Sequence, residues 1–513
     1  MKVLPDKTFI IDSKRQVSYG EFDLEVRRLA LSLLKLGIKK EDLVFVQLPS
    51  TIEHFVALMA IVRIGAIHMP LSPRVGRADL ERLTDLYSPV ASLIPREFGG
   101  VEYFPIYEAL RTKIPALKYI LVADEGMETS GEGFLSFDRI LKEPLEKDYP
   151  EDYLDRWRPS PTDLCLIQLT SGTTGLPKGA MHNHETCLSA PILGYQIAGR
   201  RDDVFLCLPP AFHTAGTTVF TLTLFYKNSM IITGRFGAEE ALKLIDQKGV
   251  TVSFGVPTHY VDMLNVPNFE KYNLQSLRCA LSMAALMPPD LASKVEKRMG
   301  CHLHIYYALT ESKASGTFVS LSEQKEEVRF NTMGRPTPYT QIKLVDGAGR
   351  QVPEGKPGEI LIKGPGTFVG YYNNPGLTQE SFDKDGFFRT GDLGVFDRWG
   401  NLKMTGRTKD MIIRGGENIY PKDIEDELLK HPRIRDVAVV SAPDERLGEI
   451  VCACIIPEAG EVVTLEDVVL FLKGKIETHS LPEMVKIMDS FPRTESGKVL
   501  KGKMKEDISD KII

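Results

Sequence analysis

Residues 170–179 read TSGTTGLPKG, with four hydroxyls, three glycines and one lysine in ten positions. Thr170, Ser171, Thr173 and Thr174 can donate to phosphate oxygens, and Lys178 supplies a point charge. Gly172 and Gly175 let backbone amides approach an anion with no Cβ in the way. The stretch is not a P-loop, which requires Gly-Lys followed by Ser or Thr. Here Pro177 precedes Lys178 and Gly179 follows it. A phosphate loop spelled differently points to a different phosphate chemistry.

Four further stretches could contribute to the same site. In YYALTES (306–312), Thr310 and Glu311 follow the predicted strand HLHIY. At a strand end such a pair can set a hydroxyl on a phosphate and a carboxylate on magnesium, although alone it fits a surface carboxylate better. FFRTGDLG (387–394) puts Asp392 in a predicted glycine-flanked turn, able to accept both hydroxyls of a ribose or simply to stabilise the turn. TGRTKDMIIRGGENIY (405–420) gathers Arg407, Lys409 and the pair Gly415 and Gly416. RTESGKVL (493–500) sets Lys498 on a glycine turn.

These stretches need elements to hold them. Residues 20–38 carry apolar residues at helical spacing and stop at Gly37. A strand-like DLVFVQLP, an apolar helix over 52–64 and the run AIHMPLSP follow. The same strand–helix–strand alternation returns over 203–257, predicting two α/β sheet units in one large domain. From about 340, short β runs split by Gly and Pro predict a small antiparallel β unit. Residues 409–513 read as a compact α+β domain, with a hairpin in DVAVVSAPDERLGEIVCACIIP and a helix in LEDVVLFLKGKI. The predicted fold is α/β: an N-terminal domain over 1–406 with two sheet units and a small β unit, and a small α+β C-terminal domain over 407–513 joined through 405–410.

At 513 residues the chain is too long for one compact core. A net charge of −6 gives no basic face for nucleic acid, and no run of apolar residues approaches the length of a membrane span. The first eleven residues lack a basic start followed by an apolar run, so no secretory signal is expected. Seven cysteines without a CxxC pair predict free thiols in a reducing, cytoplasmic setting. The close pairs His182/His184 and His302/His304 have no third ligand spaced with them and are read as structural.

The motifs as an ordered set resemble the adenylate-forming superfamily: acyl-CoA synthetases, peptide-synthetase adenylation domains and beetle luciferases. The resemblance runs from VSYGEF (17–22) to SGK (496–498), essentially the whole chain. It implies ATP, Mg2+ and CoA as reactants and cofactors, with attack of a carboxylate on the α-phosphate, release of pyrophosphate, and displacement of AMP by a thiol. The loop Thr170, Ser171, Gly172, Thr173, Thr174, Gly175 and Lys178 would lie over the β- and γ-phosphates. Thr310 would contact the α-phosphate, Glu311 would hold magnesium, and Asp392 would bind the ribose with Arg407 nearby. Tyr307 and SMAAL (282–286) would flank adenine. Lys498 would bridge carboxylate and α-phosphate. Lys409 matches the hinge on which the mobile C-terminal domain rotates between half-reactions, bringing Gly415 and Gly416 to a thiol channel.

For the acid, the expected lining is Phe212, His213, His259, Met283 and Ala314. Ala308 stands where many relatives have glycine, and with Met283 it would narrow the pocket beside adenine. The implied activity is an AMP-forming acid–CoA ligase acting on an apolar medium-chain, alicyclic or aromatic acid. The alternative is an acyl-adenylate-forming ligase that loads a carrier protein in trans. The expected partners are small molecules, with no nucleic acid, no membrane span and a possible homodimer.

Overall fold

The computed structural model describes residues 4–124, 133–170, 178–284, 287–320, 323, 325–414, 417–444, 446–493 and 499–509. Two large sheets form the N-terminal part. One has eight strands in the order Gly370–Tyr371, Lys178–Asn183, Leu164–Thr170, Ile67–Pro70, Leu43–Val46, Ala91–Pro95, Tyr119–Ala123 and Phe134–Ser136. It is parallel except where Lys178–Asn183 pairs with its two neighbours. The other has nine strands and a parallel centre built from Val204–Cys207, Ser229–Ile232, Val252–Gly255, Cys279–Ser282 and His302–Tyr307.

The two sheet units expected from the sequence are present, but chain order does not divide them. Thr8–Ile11 and Gln16–Ser18 lie on the edge of the nine-stranded sheet, where Thr8–Ile11 pairs with Ser229–Ile232. Pairing across more than 200 residues leaves no local mark in the sequence. Helix Tyr19–Lys35 begins at a capping box: the Ser18 hydroxyl accepts from the Glu21 N–H, and the Glu21 carboxylate accepts from the Ser18 N–H. Gly37, at φ +83°, turns the chain just beyond it.

Side chains alternate across each strand, so the eight-stranded sheet has two distinct faces. Phe45, Ile67, Met69 and Ile167 pack on one side. Val44, Val46 and Leu93 face the other side, in a core shared with Phe205, Phe220 and Phe254 of the second sheet unit. Phe55 and Phe220 stack there with ring centres 4.5 Å apart.

The small β unit is a four-stranded antiparallel sheet of Gln341–Val345, Gly358–Lys363, Phe388–Phe396 and Leu402–Arg407. Asp392 was expected in a turn, but it lies inside the strand Phe388–Phe396. Gly391, at φ +70°, and a register shift after Leu393 bend that strand without ending it.

The C-terminal domain is a smaller sheet around the hairpin Ile434–Asp444/Gly448–Pro457. Helices Pro421–Leu428 and Leu465–Leu472 cover one face and Lys501–Ser509 the other. Cys452 and Cys454 are both buried in its core. Sheet membership changes between Arg407, the last residue of the four-stranded sheet, and Ile412, the first of the C-terminal sheet. Among the described residues no helix is long and apolar enough to cross a membrane.

Candidate active site

The strands on either side of the glycine-rich stretch pair antiparallel. Leu164–Thr170 runs in and Lys178–Asn183 runs out, with Thr170 opposite Lys178 in register. Ser171, Gly172, Thr173, Thr174 and Gly175 lie outside the described residues, as do Gly415, Gly416 and Lys498. Gly179 is required by packing, because a Cβ there would stand 2.6 Å from the Tyr87 hydroxyl. The Lys178 ammonium lies 5.6 Å from the centre of the Tyr371 ring, on the neighbouring strand. The Tyr371 hydroxyl donates to Glu311 Oε1 at 2.8 Å. Burial, and then the Glu311 charge, push this phenol above its ordinary range, so it stays a donor.

Thr310 and Glu311 open a turn directly after the strand His302–Tyr307 and its extension Ala308–Leu309, as their spacing suggested. Glu311 is 8% exposed. Its backbone carbonyl accepts from the Phe368 N–H at 2.7 Å. Behind the turn, His182 Nε2 donates to the Thr310 carbonyl at 2.9 Å, and Nδ1 lies 3.2 Å from the Thr186 hydroxyl. His182 is fully buried, and desolvation with the nearby Lys313 charge holds its pKa well below the ordinary histidine value. A neutral imidazole thus ties the first sheet unit to the Thr310 turn.

Four residues before Glu311, Tyr307 reaches a second carboxylate. Its hydroxyl donates to Asp392 Oδ2 at 2.9 Å, while Arg407 Nε meets Asp392 Oδ1 at 2.9 Å. Asp392 and Arg407 are cross-strand partners in register, and Asp392 is 2% exposed. Both carboxylate oxygens are therefore held in place, and each keeps a lone pair for another donor. Burial and the Asp392 charge push the Tyr307 phenol up. Lys409 lies just beyond, in the short 3₁₀ turn Thr408–Asp410. Burial first and the Arg407 charge second lower its pKa, and Lys178 adds to the repulsion. Lys409 is thus within electrostatic reach of both Arg407 and Lys178, beside two buried carboxylates, a field suited to a polyanion.

The residues expected around the acid are spread over several elements. Phe212 and His213 precede helix Thr214–Tyr226, with their rings 4.9 Å apart, and the Phe212 carbonyl accepts from Gln168 Nε2 at 2.5 Å. Met283 and Ala314 are buried, and Ala308 packs against the cluster that contains Met283. His259 packs on Phe236 with ring centres 4.3 Å apart, and its Nδ1 accepts from the Val256 N–H at 3.3 Å. Burial lowers its pKa to about 4. Of the other paired histidines, His304 stacks on Phe318 and lies 3.3 Å from the Val319 carbonyl.

Sequence reasoning missed Tyr371 and Lys313. Tyr371 sits in YYNNPG with no chemical pattern around it, and only the pairing of a two-residue edge strand brings it to Glu311. Lys313 lies beside the Thr-Glu motif, which was the available signal.

Known proteins resemble this chain over nearly its whole length. The family description AMP-binding enzyme matches residues 1–372, and AMP-binding enzyme C-terminal domain matches residues 423–498. The chain is 30% identical over 531 residues to the medium-chain acyl-CoA ligase ACSF2, mitochondrial, of Mus musculus, covering 98% of this chain and 85% of that protein. It is also 30% identical over 513 residues to 2,3-dihydroxybenzoate-AMP ligase of Bacillus subtilis (strain 168), covering 99% and 92%. ATP-bound MatB from Rhodopseudomonas palustris is similar with a TM-score of 0.89 at 28% identity, covering 99% of this chain and 97% of that one. The apo form of MatB gives a TM-score of 0.77. The chain belongs to the AMP-binding enzyme family of adenylate-forming ligases.

Proposed function

We propose that the protein is an AMP-forming acid–CoA ligase. The observation that carries this reading is the pair of buried carboxylates joined by one short stretch of chain. Tyr307 holds Asp392 beside Arg407, and four residues later Glu311 accepts from Tyr371, whose ring lies 5.6 Å from the Lys178 ammonium. One carboxylate is available to ribose hydroxyls, and the other lies beside the loop read as phosphate-binding. Glu311 suits magnesium, an ion that takes one or two protein carboxylates and completes its shell with phosphates and water. Bound by Glu311 and the phosphates, the ion would neutralise charge on the phosphoryl oxygens.

In this reading Lys178 and the loop 170–175 hold the β- and γ-phosphates, and the Thr310 hydroxyl orients the α-phosphate. Asp392 fixes the ribose, Tyr307 and Met283 lie beside adenine, and Lys498 draws the acid's carboxylate to the α-phosphate. The carboxylate oxygen attacks phosphorus, the bond to the bridging oxygen breaks, and pyrophosphate leaves. The thiol of CoA then attacks the acyl carbon and AMP departs. Concentrating positive groups where charge develops is the main catalytic device. We place the domain division at 1–406 and 407–513, with Lys409 as hinge. Rotation of the C-terminal domain would then exchange Lys498 for Gly415 and Gly416 between steps.

Phe212, His213, His259, Met283 and Ala314 are assigned to the acid, with a medium-chain, alicyclic or aromatic carbon body. The buried apolar character of Met283 and Ala314 supports this, as do relatives named for a medium-chain and an aromatic acid. Seven free thiols support a reducing, cytoplasmic setting. The test is AMP release from ATP and magnesium across a panel of carboxylic acids, each with and without CoA. Acid-selective release that depends on CoA is expected. Acid-dependent pyrophosphate exchange with no response to CoA would favour carrier-protein loading instead.

A further inference from the structure

Lys313 is a buried cation that the mechanism above does not use. It is 5% exposed, sits two residues past Glu311 and immediately before Ala314, and has φ +44°. The left-handed region is unfavourable for a lysine, and the conformation is held by the Tyr306 hydroxyl, which donates to the Lys313 carbonyl at 2.9 Å. Among the described residues, no carboxylate pairs with its ammonium and no acceptor takes a hydrogen bond from it. An isolated buried ammonium is costly unless a partner is supplied.

Several buried polar atoms around Lys313 also lack partners among the described residues. Its charge acts on His68 and His182. His68 is fully buried, and neither of its ring nitrogens has a hydrogen-bond partner among the described residues. The His54 ring lies 5.6 Å from it, with Nε2 also unpartnered. Leu166 is in register with both His68 and His182, so the two histidines share one face of the eight-stranded sheet. Gln168, two residues on, shares that face. Its Nε2 holds the Phe212 carbonyl, and its Oε1 is buried without a partner. The unsatisfied groups thus extend from Lys313 toward Phe212, within the region assigned to the acid.

We propose that the acid activated here carries a second carboxylate at the far end of its carbon body, bound by the Lys313 ammonium and a His68 N–H. This rests on the acid–CoA ligase reading and narrows it: the middle of the substrate is apolar and both ends are anionic. One carboxylate goes to the α-phosphate, and the other provides the counter-charge that Lys313 lacks.

The test compares kcat/KM for CoA-dependent AMP release on α,ω-dicarboxylic acids and on monocarboxylic and ω-hydroxy acids of equal length. It uses the full-length protein, Lys313→Met and Lys313→Arg. The unaltered protein is expected to favour its best diacid over the matched monoacid by at least about 10²-fold, as a site built around a polar group rejects the analogue lacking it. Lys313→Met should reverse that order, mainly through KM for the diacid, and Lys313→Arg should restore part of it. Activity of Lys313→Met on monoacids shows that the variant is folded. An unaltered protein that prefers monoacids or hydroxy acids, or a diacid-to-monoacid ratio unmoved by Lys313→Met, would overturn the proposal. A protein inactive with every acid would contradict this inference and the ligase reading together.

Discussion

Asp392 and Lys313 are both almost fully buried, at 2% and 5% exposure, and both are charged groups, yet their surroundings differ. Asp392 has Tyr307 on one oxygen and Arg407 on the other, each at 2.9 Å. Lys313 has neutral histidines nearby and no partner among the described residues. In the proposed function the first binds ATP, which is the same in every turnover, and the second faces the acid, which defines the enzyme's choice. A site for an unchanging ligand can be braced by its own side chains before the ligand arrives. A buried group that waits for its partner gives up stability and gains discrimination, because a ligand lacking that partner leaves it unpaired.

The largest expected effect would break the phosphate end. Lys498→Ala should lower adenylation on the order of 10²–10³-fold while conversion of supplied acyl-adenylate to thioester continues. Single-turnover assays of the two half-reactions would show this, and equal loss of both would refute a lysine used in only one of them. Asp392→Asn should raise KM for ATP by about 10-fold, since hydrogen bonds to a charged group contribute roughly 1.5–3 kcal/mol. Diacid-over-monoacid preference should not change with it. If that preference collapsed with Asp392→Asn, the two ends would not be separable.

Much of the region proposed to hold phosphate is marked in the sequence, because its motifs are local. TSGTTGLPKG ends an apolar strand, and Thr310–Glu311 follows another, so type and spacing alone located them. The partnership of Asp392 with Arg407 was less legible, because it depends on a cross-strand register. A glycine on each side of Asp392 suggested a turn, whereas Gly391 produces a bend inside a strand. Tyr371, His68 and Gln168 were not legible at all. Their contacts join residues far apart in the chain, 44 apart for Gln168 and Phe212 and 60 apart for Tyr371 and Glu311, and nothing local marks them. Lys313 illustrates the other limit, since burial that leaves a cation unpaired cannot be read from a string of residue types.

The smallest expected effect on rate concerns acid pH, and it appears in stability. Burial lowers the pKa of His54 to about 4, and that of His304 likewise to about 4. The unfolded chain takes up those protons near pH 6.5, while the folded chain resists until about 4. The unfolded state therefore gains protons first. Stability falls as pH drops from about 6.5 toward 4, by up to about 1.4 kcal/mol per pH unit for each such histidine, and is flat with respect to these groups above that window. Urea midpoints at pH 7.5 and 5.0 should show the loss. Replacing His54 by Phe should reduce the slope, and an unchanged slope would remove His54 from the account.

The central claim is that a carboxylate oxygen of the acid attacks the α-phosphate of ATP in this site. The direct measurement supplies the best acid of the panel with both carboxylate oxygens as ¹⁸O and follows the label by mass spectrometry after CoA-dependent turnover. One ¹⁸O in the phosphate of AMP, and none in inorganic phosphate or pyrophosphate, is the result expected from an acyl-adenylate displaced by a thiol. Label in inorganic phosphate, with ADP as the nucleotide product, would mean attack at the γ-phosphate and would contradict the account.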